Sequence, residues 1–102
     1  MRKHGRVDAN QAAIVRELRQ AGCSVAITSD LGEGYPDILV GLRGVNVLAE
    51  IKDPNQPPSK RKLTEDEQRF HELWRGQICV IECAEDLLLA IALRLEVAAL
   101  CQ

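Results

Sequence analysis

Apolar residues recur along this chain either at helical spacing or in short continuous runs, the pattern of helices alternating with strands. The predicted helices are residues 8–21, 64–75 and 85–102. Four apolar runs bounded by turn-forming residues predict strands. The predicted strands are residues 23–28, 37–42, 45–52 and 77–83. The order α-β-β-β-α-β-α predicts one α/β (α+β) domain over residues 1–102, with helices flanking a mixed central sheet in three layers.

Local signals set the ends of these elements. Asp8 is a favoured N-cap, and Gln11 three residues later fits a capping box for the first helix, which Gly22 should end. Thr64 and Glu67 fit a second capping box, which opens the second helix. The dipeptide 43–44, Arg-Gly, fits a two-residue hairpin turn between the second and third strands. The first strand, and the two strands of the hairpin, are apolar enough to be buried.

Three charged residues carry the chemistry. Glu50 and Lys52 are two residues apart on a predicted strand, so both side chains point to the same face. The two-residue turn places Asp37 opposite Glu50. Cross-strand neighbours lie roughly 5 Å apart, so one divalent cation can bridge both carboxylates. Such an ion lowers the pKa of a bound water, and Lys52 positions that water or stabilises charge on a phosphate, which predicts phosphodiester hydrolysis.

An exposed cluster of ion pairs at the hairpin end is the alternative interpretation of this trio. Two features favour the hydrolase: charges beside buried strands need pairing or a metal, and a basic loop follows the third strand directly. A net charge of −2 does not oppose DNA binding, because affinity for phosphate depends on local basic residues. The candidate DNA-contacting residues are Lys60, Arg61 and Lys62, and Ser29 with the glycine-containing loop 32–34. A second basic group, Arg2, Lys3 and Arg6, precedes the first helix.

The residues Asp37 and 50–52 (Glu-Ile-Lys) resemble the PD-(D/E)xK nuclease signature. The longer pattern of residues 50–55, Leu63-Thr64, Gln68 and Trp74 is similar to the virus-type replication-repair nuclease (VRR-NUC) domain, over about residues 6–86. The resemblance implies a restriction-endonuclease-like core. It also implies a DNA endonuclease that uses Mg²⁺, for which Mn²⁺ is a possible substitute because oxygen ligands serve both.

The resemblance also assigns roles to single residues. It implies that Asp37, Glu50 and the backbone carbonyl of Ile51 bind the metal, that Lys52 is the catalytic lysine, and that Gln68 lies near the active site. Related enzymes carry an acid on the first helix, often for a second ion. Gln11 stands at that position here, so it is expected to contact a metal-bound water or to cap the helix, with Asp8 as a weaker substitute. The number of ions stays open.

Stand-alone members of this domain resemble phage-type Holliday-junction resolvases, so branched DNA is the expected substrate. The alternatives are a nicking or restriction-type nuclease of phage genome processing, and a non-catalytic module that binds DNA structures. The C-terminal helix has more apolar positions than one buried face needs, which predicts a homodimer through that helix. Its apolar stretch, residues 87–100, is interrupted by two charges and is too short to span a membrane.

The four cysteines argue against zinc, because none forms a C-x-x-C pair and no histidine cluster accompanies them. Cys79 and Cys83 are expected as buried thiols on one side of the fourth strand. With no signal peptide at the start of the sequence, we expect a reducing cytoplasm, in a bacterium or a phage-infected host cell, and free thiols.

Overall fold

The computed structural model describes residues 8–101. The helices are α1 (Gln11–Gln20), α2 (Glu65–Leu73) and α3 (Ala84–Leu100), and the strands are β1 (Ser24–Ile27), β2 (Ile38–Leu42), β3 (Val45–Ile51) and β4 (Ile78–Ile81). The predicted order α-β-β-β-α-β-α is confirmed. Single 3₁₀ turns at Ser29–Leu31 and Pro58–Lys60 interrupt the predicted loops. The basic group Arg2, Lys3 and Arg6 lies outside the described residues.

The strands form one mixed sheet in the order β1-β2-β3-β4. β2 is antiparallel to both β1 and β3, whereas β3 and β4 are parallel. The predicted hairpin turn is confirmed: Arg43 and Gly44 have φ values of 53° and 82°, the left-handed backbone of a type I′ turn. This turn fixes the pairing of Leu42 with Val45 and of Ile38 with Ala49. Asp37, which precedes Ile38, therefore lies beside the end of β3.

Side-chain alternation along β3 separates the hydrophobic core from the charged residues. Every second residue of β3 from Val45 to Ile51 is buried in the core with α1 and α3. Since successive residues of a strand point to opposite faces, Leu48, Glu50 and Lys52 point to the other face, where Lys52 contacts α2. The remaining core side chains come from α1, β2, β4 and α3, and include Leu18, Val40, Ile81 and Leu87.

The start of α1 differs from the prediction. The helix begins at Gln11 with Asn10 as its N-cap, and the Asn10 side chain makes no capping hydrogen bond. The N-cap is therefore not Asp8, and the predicted capping box of Asp8 and Gln11 is wrong. The side chains have other partners: Gln11 bonds to Ser29, and the Asn10 amide donates to the backbone carbonyls of Lys52 and Glu82, both at 3.2 Å. These tertiary contacts outweigh a local cap.

The end of α1 follows the prediction. Gly22 has a φ of 98°, its N–H donates to the Arg19 carbonyl, and the Cys23 N–H donates to the Leu18 carbonyl, both at 3.0 Å. This pair of bonds is a Schellman motif, in which glycine avoids the cost of left-handed backbone.

Two expectations of burial are wrong. β1 is an edge strand that is largely exposed, with Ile27 58% exposed, because it pairs only with β2. Likewise Cys83 is exposed at the start of α3, while Cys79 is half-buried and burial raises the pKa of its thiol to about 11. All four thiols are free. Across residues 8–101, no helix combines the length and the apolar character needed to cross a bilayer.

Candidate active site

The structure brings Asp37, Glu50 and Lys52 together on the face of β3 that is turned away from the core. The Asp37 carboxylate accepts a hydrogen bond of 2.7 Å from the Ile51 N–H, which holds it against β3. The Lys52 ammonium lies 3.6 Å from Oε2 of Glu50. Glu50 and Lys52 are only 4% and 8% exposed, so the alternative of an exposed ion-pair cluster does not describe this site.

Two carboxyl groups are crowded in this buried position. Burial, followed by the charges of Asp37 and Glu67, raises the pKa of Glu50 to about 10. Burial also raises the pKa of Asp37, although the hydrogen bond from the Ile51 N–H opposes that rise. A cation bound between two such carboxyl groups would favour the charged form of both.

The donor set fits a divalent metal ion. Oε1 of Glu50 is buried without a hydrogen-bond partner, which an oxygen-seeking cation would satisfy. No group of three or more His, Cys, Asp and Glu side chains in residues 8–101 is arranged to hold a metal. Magnesium does not need one, since it is commonly bound by one or two carboxylates and keeps several waters.

Lys52 has a second acidic neighbour that sequence reasoning missed. Its ammonium donates to Oε1 of Glu67 at 2.9 Å, a shorter contact than the one to Glu50. Burial alone would lower the pKa of Lys52, but the hydrogen bond and charge of Glu67, with the charge of Glu50, outweigh it and raise that pKa. Lys52 is therefore held as a cation.

Glu67 is also part of the capping box at the start of α2, which is confirmed. Thr64 Oγ1 accepts from the Glu67 N–H at 3.2 Å, and Oε1 of Glu67 accepts from the Thr64 N–H at 2.9 Å. The pKa of Glu67 is lowered, because the Thr64 N–H and the Lys52 ammonium together outweigh the effect of burial. The sequence shows the capping box, but it does not show that the same carboxylate reaches β3.

The predicted residues Gln11 and Ser29 lie beside the site and bond to each other. The Gln11 amide donates to the Ser29 hydroxyl at 3.0 Å, and that hydroxyl is 3.3 Å from the Asp37 carbonyl. Gln11 is buried, and the charge of Asp8 contributes to the raised pKa of Asp37. Gln11 and Ser29 thus support the backbone that carries Asp37: Ser29 bonds to the Asp37 carbonyl, and Gln11 bonds to Ser29.

The structure does not bring Gln68 into the cluster. Its side chain is exposed and donates along α2 to Glu72 at 3.4 Å. The residue before it, Glu67, occupies the position next to Lys52. The physical reason is the helical rotation between successive residues, which turns Gln68 away when Glu67 faces β3.

The three basic residues of the loop after β3 differ in their exposure and contacts. Lys60 and Lys62 are exposed. Arg61 is half-buried, and its guanidinium lies 3.9 Å from the Glu82 carboxylate. Lys60 and Lys62 therefore present their charges to solvent, whereas Arg61 also ties the loop to the residue that follows β4.

The fold and the motif can be compared with known proteins. A solved structure titled "VRR_NUC domain" is similar to this chain, with a TM-score of 0.57 and 28% sequence identity over 80% of this chain and 89% of that chain. No family model and no curated protein matches the sequence. This similarity, together with the mixed four-stranded sheet and the motif residues that meet on β3, supports a VRR-NUC domain, which is a nuclease-type domain, with a restriction-endonuclease-like fold.

Proposed function

We propose that this chain is a metal-dependent DNA endonuclease that hydrolyses phosphodiester bonds. One observation carries the proposal: Asp37, Glu50 and Lys52 converge in a buried site, where an oxygen of Glu50 has no partner. A buried carboxylate of this kind is costly unless a ligand compensates it. The nuclease-type fold supports DNA as the substrate.

Asp37, Glu50 and the carbonyl of Ile51 would hold the ion, which we propose is Mg²⁺, with Mn²⁺ as a possible substitute. When bound, such an ion lowers the pKa of a water molecule and neutralises charge on the phosphate. We propose Gln11, which bonds to Ser29, as an outer contact to water near this ion.

Lys52 supplies the positive charge of the reaction. Its ammonium is buried beside the carboxyl groups of Glu50 and Glu67, where a charge acts more strongly than it does in water. We propose that it donates to a non-bridging oxygen of the scissile phosphate, or to the attacking water, and so stabilises the charge of the transition state. A role for Gln68 in this step stays a prediction, which its contact with Glu72 does not support.

The DNA backbone is proposed to run over the loop that follows β3. Lys60 and Lys62 are exposed there and can contact phosphates, which contributes affinity without sequence information. Arg61 is proposed to help by holding this loop in place through Glu82, and Ser29 by fixing the opposite side of the site.

We further propose that the substrate is branched DNA such as a Holliday junction, cut by a homodimer formed through α3. Four apolar side chains of this helix are exposed on its outer side: Leu89, Leu93, Val97 and Leu100. They recur at three- and four-residue intervals, so they form one stripe. A two-fold dimer would present two active sites to two strands of a junction.

The four free thiols suit a reducing compartment. We therefore propose the cytoplasm of a bacterium, or of a phage-infected host cell, as the place where this nuclease acts.

Cleavage of a labelled four-way junction in Mg²⁺ tests the function. The expected result is cutting by the wild-type protein that EDTA and Lys52→Ala both abolish, with plain duplex of the same sequence cut more slowly. Binding of the junction without cutting would show a DNA-structure-binding module instead. Equal cutting of duplex would remove the preference for branched DNA, and cutting at one sequence only would show a restriction-type or nicking nuclease.

A further inference from the structure

The position of a lysine ammonium is not fixed by the lysine side chain itself. Its ammonium ends a flexible four-carbon chain, so a catalytic lysine needs neighbours that select one rotamer. The shorter of the two ion pairs of Lys52 is to Glu67, at 2.9 Å against 3.6 Å for Glu50. Glu50 is also a proposed metal ligand, whereas Glu67 has no proposed part in metal binding. Glu67 is therefore the residue placed to fix the ammonium.

Glu67 is itself held on two sides. Its Oε1 atom accepts from both the Thr64 N–H and the Lys52 ammonium, each at 2.9 Å, so the capping box fixes the same oxygen that holds the lysine. The first turn of α2 also packs on the loop that leads into Asp37. A Cβ added at Gly34 would lie 2.8 Å from the backbone nitrogen of Glu67.

An aromatic contact fixes the same helix farther along. The rings of Tyr35 and Phe70 meet edge to face at 4.8 Å, and Phe70 stacks on Trp74 at 5.3 Å. Tyr35 lies two residues before Asp37, so α2 is fastened to the segment that supplies the first carboxylate. The position of Glu67 is thus coupled to the position of Asp37.

We propose that Glu67 is a positioning residue that holds the ammonium of Lys52 beside Glu50, and that the capping box of α2 determines where Glu67 stands. This inference rests on the proposed nuclease function. It assigns Glu67 no contact with DNA or metal.

Glu67→Gln is the variant that separates positioning from stability. Glutamine keeps an oxygen for the Thr64 N–H and forms the same capping box, but it replaces the ion pair with Lys52 by a weaker hydrogen bond from the ammonium to a neutral oxygen. Glu65→Gln is the matched control, because Glu65 is exposed in the same helical turn and carries the same charge. Both variants should be folded at the assay temperature, but the loss of the buried ion pair should lower the unfolding temperature of Glu67→Gln.

Single-turnover cleavage of the four-way junction gives the first readout. Glu67→Gln should lower the rate of the chemical step by roughly 10- to 100-fold, the range expected when a catalytic group is misplaced by about 1 Å, with DNA affinity unchanged within twofold. Glu65→Gln should cut within twofold of wild type.

A second readout does not depend on activity. In protein with ¹⁵N-labelled lysine side chains, the Lys52 ammonium signal, assigned by its loss in Lys52→Ala, should exchange its hydrogens faster in Glu67→Gln than in wild type. Equal exchange, or wild-type cutting by Glu67→Gln, would overturn the inference while leaving the nuclease function standing. A loss of Mg²⁺ uptake as large as that of Asp37→Asn would also overturn it, because Glu67 would then be a ligand. If no DNA is cut by the wild-type protein, the function fails, and the exchange rates still decide the role of Glu67.

Discussion

The carboxylate of Asp37 accepts a 2.7 Å hydrogen bond from the backbone N–H of Ile51, so one proposed metal ligand is tied to the strand that carries the other. The Ile51 side chain is fully buried in the core on the opposite face of the sheet. Core packing therefore sets the position of the N–H that orients Asp37. The geometry of the site is fixed by the fold before any ion binds, which favours a tight and selective site.

Replacing Asp37 with asparagine should remove metal binding without unfolding the protein. The asparagine oxygen can still accept from the Ile51 N–H, but the negative charge is lost. We expect Mg²⁺ affinity to fall by more than the roughly 10- to 100-fold typical of changes to outer contacts, with no detectable cleavage. Isothermal titration calorimetry measures the affinity. Glu33→Gln, an exposed charge removed from the preceding loop, is the control, and undiminished ion uptake by Asp37→Asn would contradict the assignment of the site.

The raised pKa of Glu50 predicts how the stability of the metal-free protein depends on pH. Its pKa is about 10 in the folded chain against an ordinary value of 4.5, so folding favours the protonated carboxyl. This contribution to the free energy of unfolding is complete below pH 4.5 and is lost as the pH rises toward 10. In EDTA, the unfolding temperature should therefore fall between about pH 5 and about pH 8.

Glu50→Gln tests the cause of that fall, because glutamine is neutral at every pH. Its unfolding temperature should fall less than that of wild type over the same range. Added Mg²⁺ should stabilise the wild-type protein more at the higher pH, since the ion binds the deprotonated carboxylates and releases protons. A wild-type profile that is flat in EDTA would show that Glu50 ionises normally.

The sequence predicted the fold well because its signals are local. A two-residue turn fixes the register of β2 and β3, and that register with the period of a strand is enough to bring Asp37, Glu50 and Lys52 together. The capping box at Thr64 and the glycine at the end of α1 are local in the same sense. Each depends on residues no more than a few positions apart.

The errors concern contacts between distant segments. The Asp8 and Gln11 pair matched a capping box, but the sequence does not show that Gln11 would meet Ser29 or that Asn10 would bridge the ends of β3 and β4. Nor does an apolar run show whether its strand is central or at the edge, as β1 demonstrates. Glu67 was recognisable as a cap, and the need of a buried lysine for a counter-charge is the signal that could have identified its second role.

Gly34 should tolerate substitution less well than Gly44. Gly34 and Gly44 have similar φ values, 79° and 82°, so alanine costs about 1–2 kcal/mol of left-handed strain at either position. Gly44 has open space around it, whereas a Cβ at Gly34 would press on the backbone of Asp66 and Glu67. Gly34→Ala should therefore lower the free energy of unfolding by about 1–3 kcal/mol more than Gly44→Ala. Urea denaturation measures both, and equal losses would contradict the close packing of this loop on α2.

The exposed stripe on α3 predicts a homodimer that one charge should break. Leu89, Leu93, Val97 and Leu100 are between 49% and 84% exposed. Leu93 and Val97 line a groove with Ile78 and Cys79 of β4, whose outer edge is unpaired within residues 8–101. Burying this stripe against a second copy removes apolar surface from water, and Leu93→Glu would place a charge in that interface. Light scattering after size exclusion should give twice the 11.3 kDa mass of the chain for wild type and the single mass for Leu93→Glu.

Ile27→Glu is the control for that experiment, because Ile27 is 58% exposed on the opposite edge of the sheet and should leave the dimer intact. The substrate gives a second test of the same interface. A dimer places two active sites on one junction, so wild type should nick two strands within one binding event, while Leu93→Glu should nick one strand at a time. A wild-type protein that elutes as a monomer at the concentrations used for cleavage would contradict the dimer, and the paired nicks would then require another explanation.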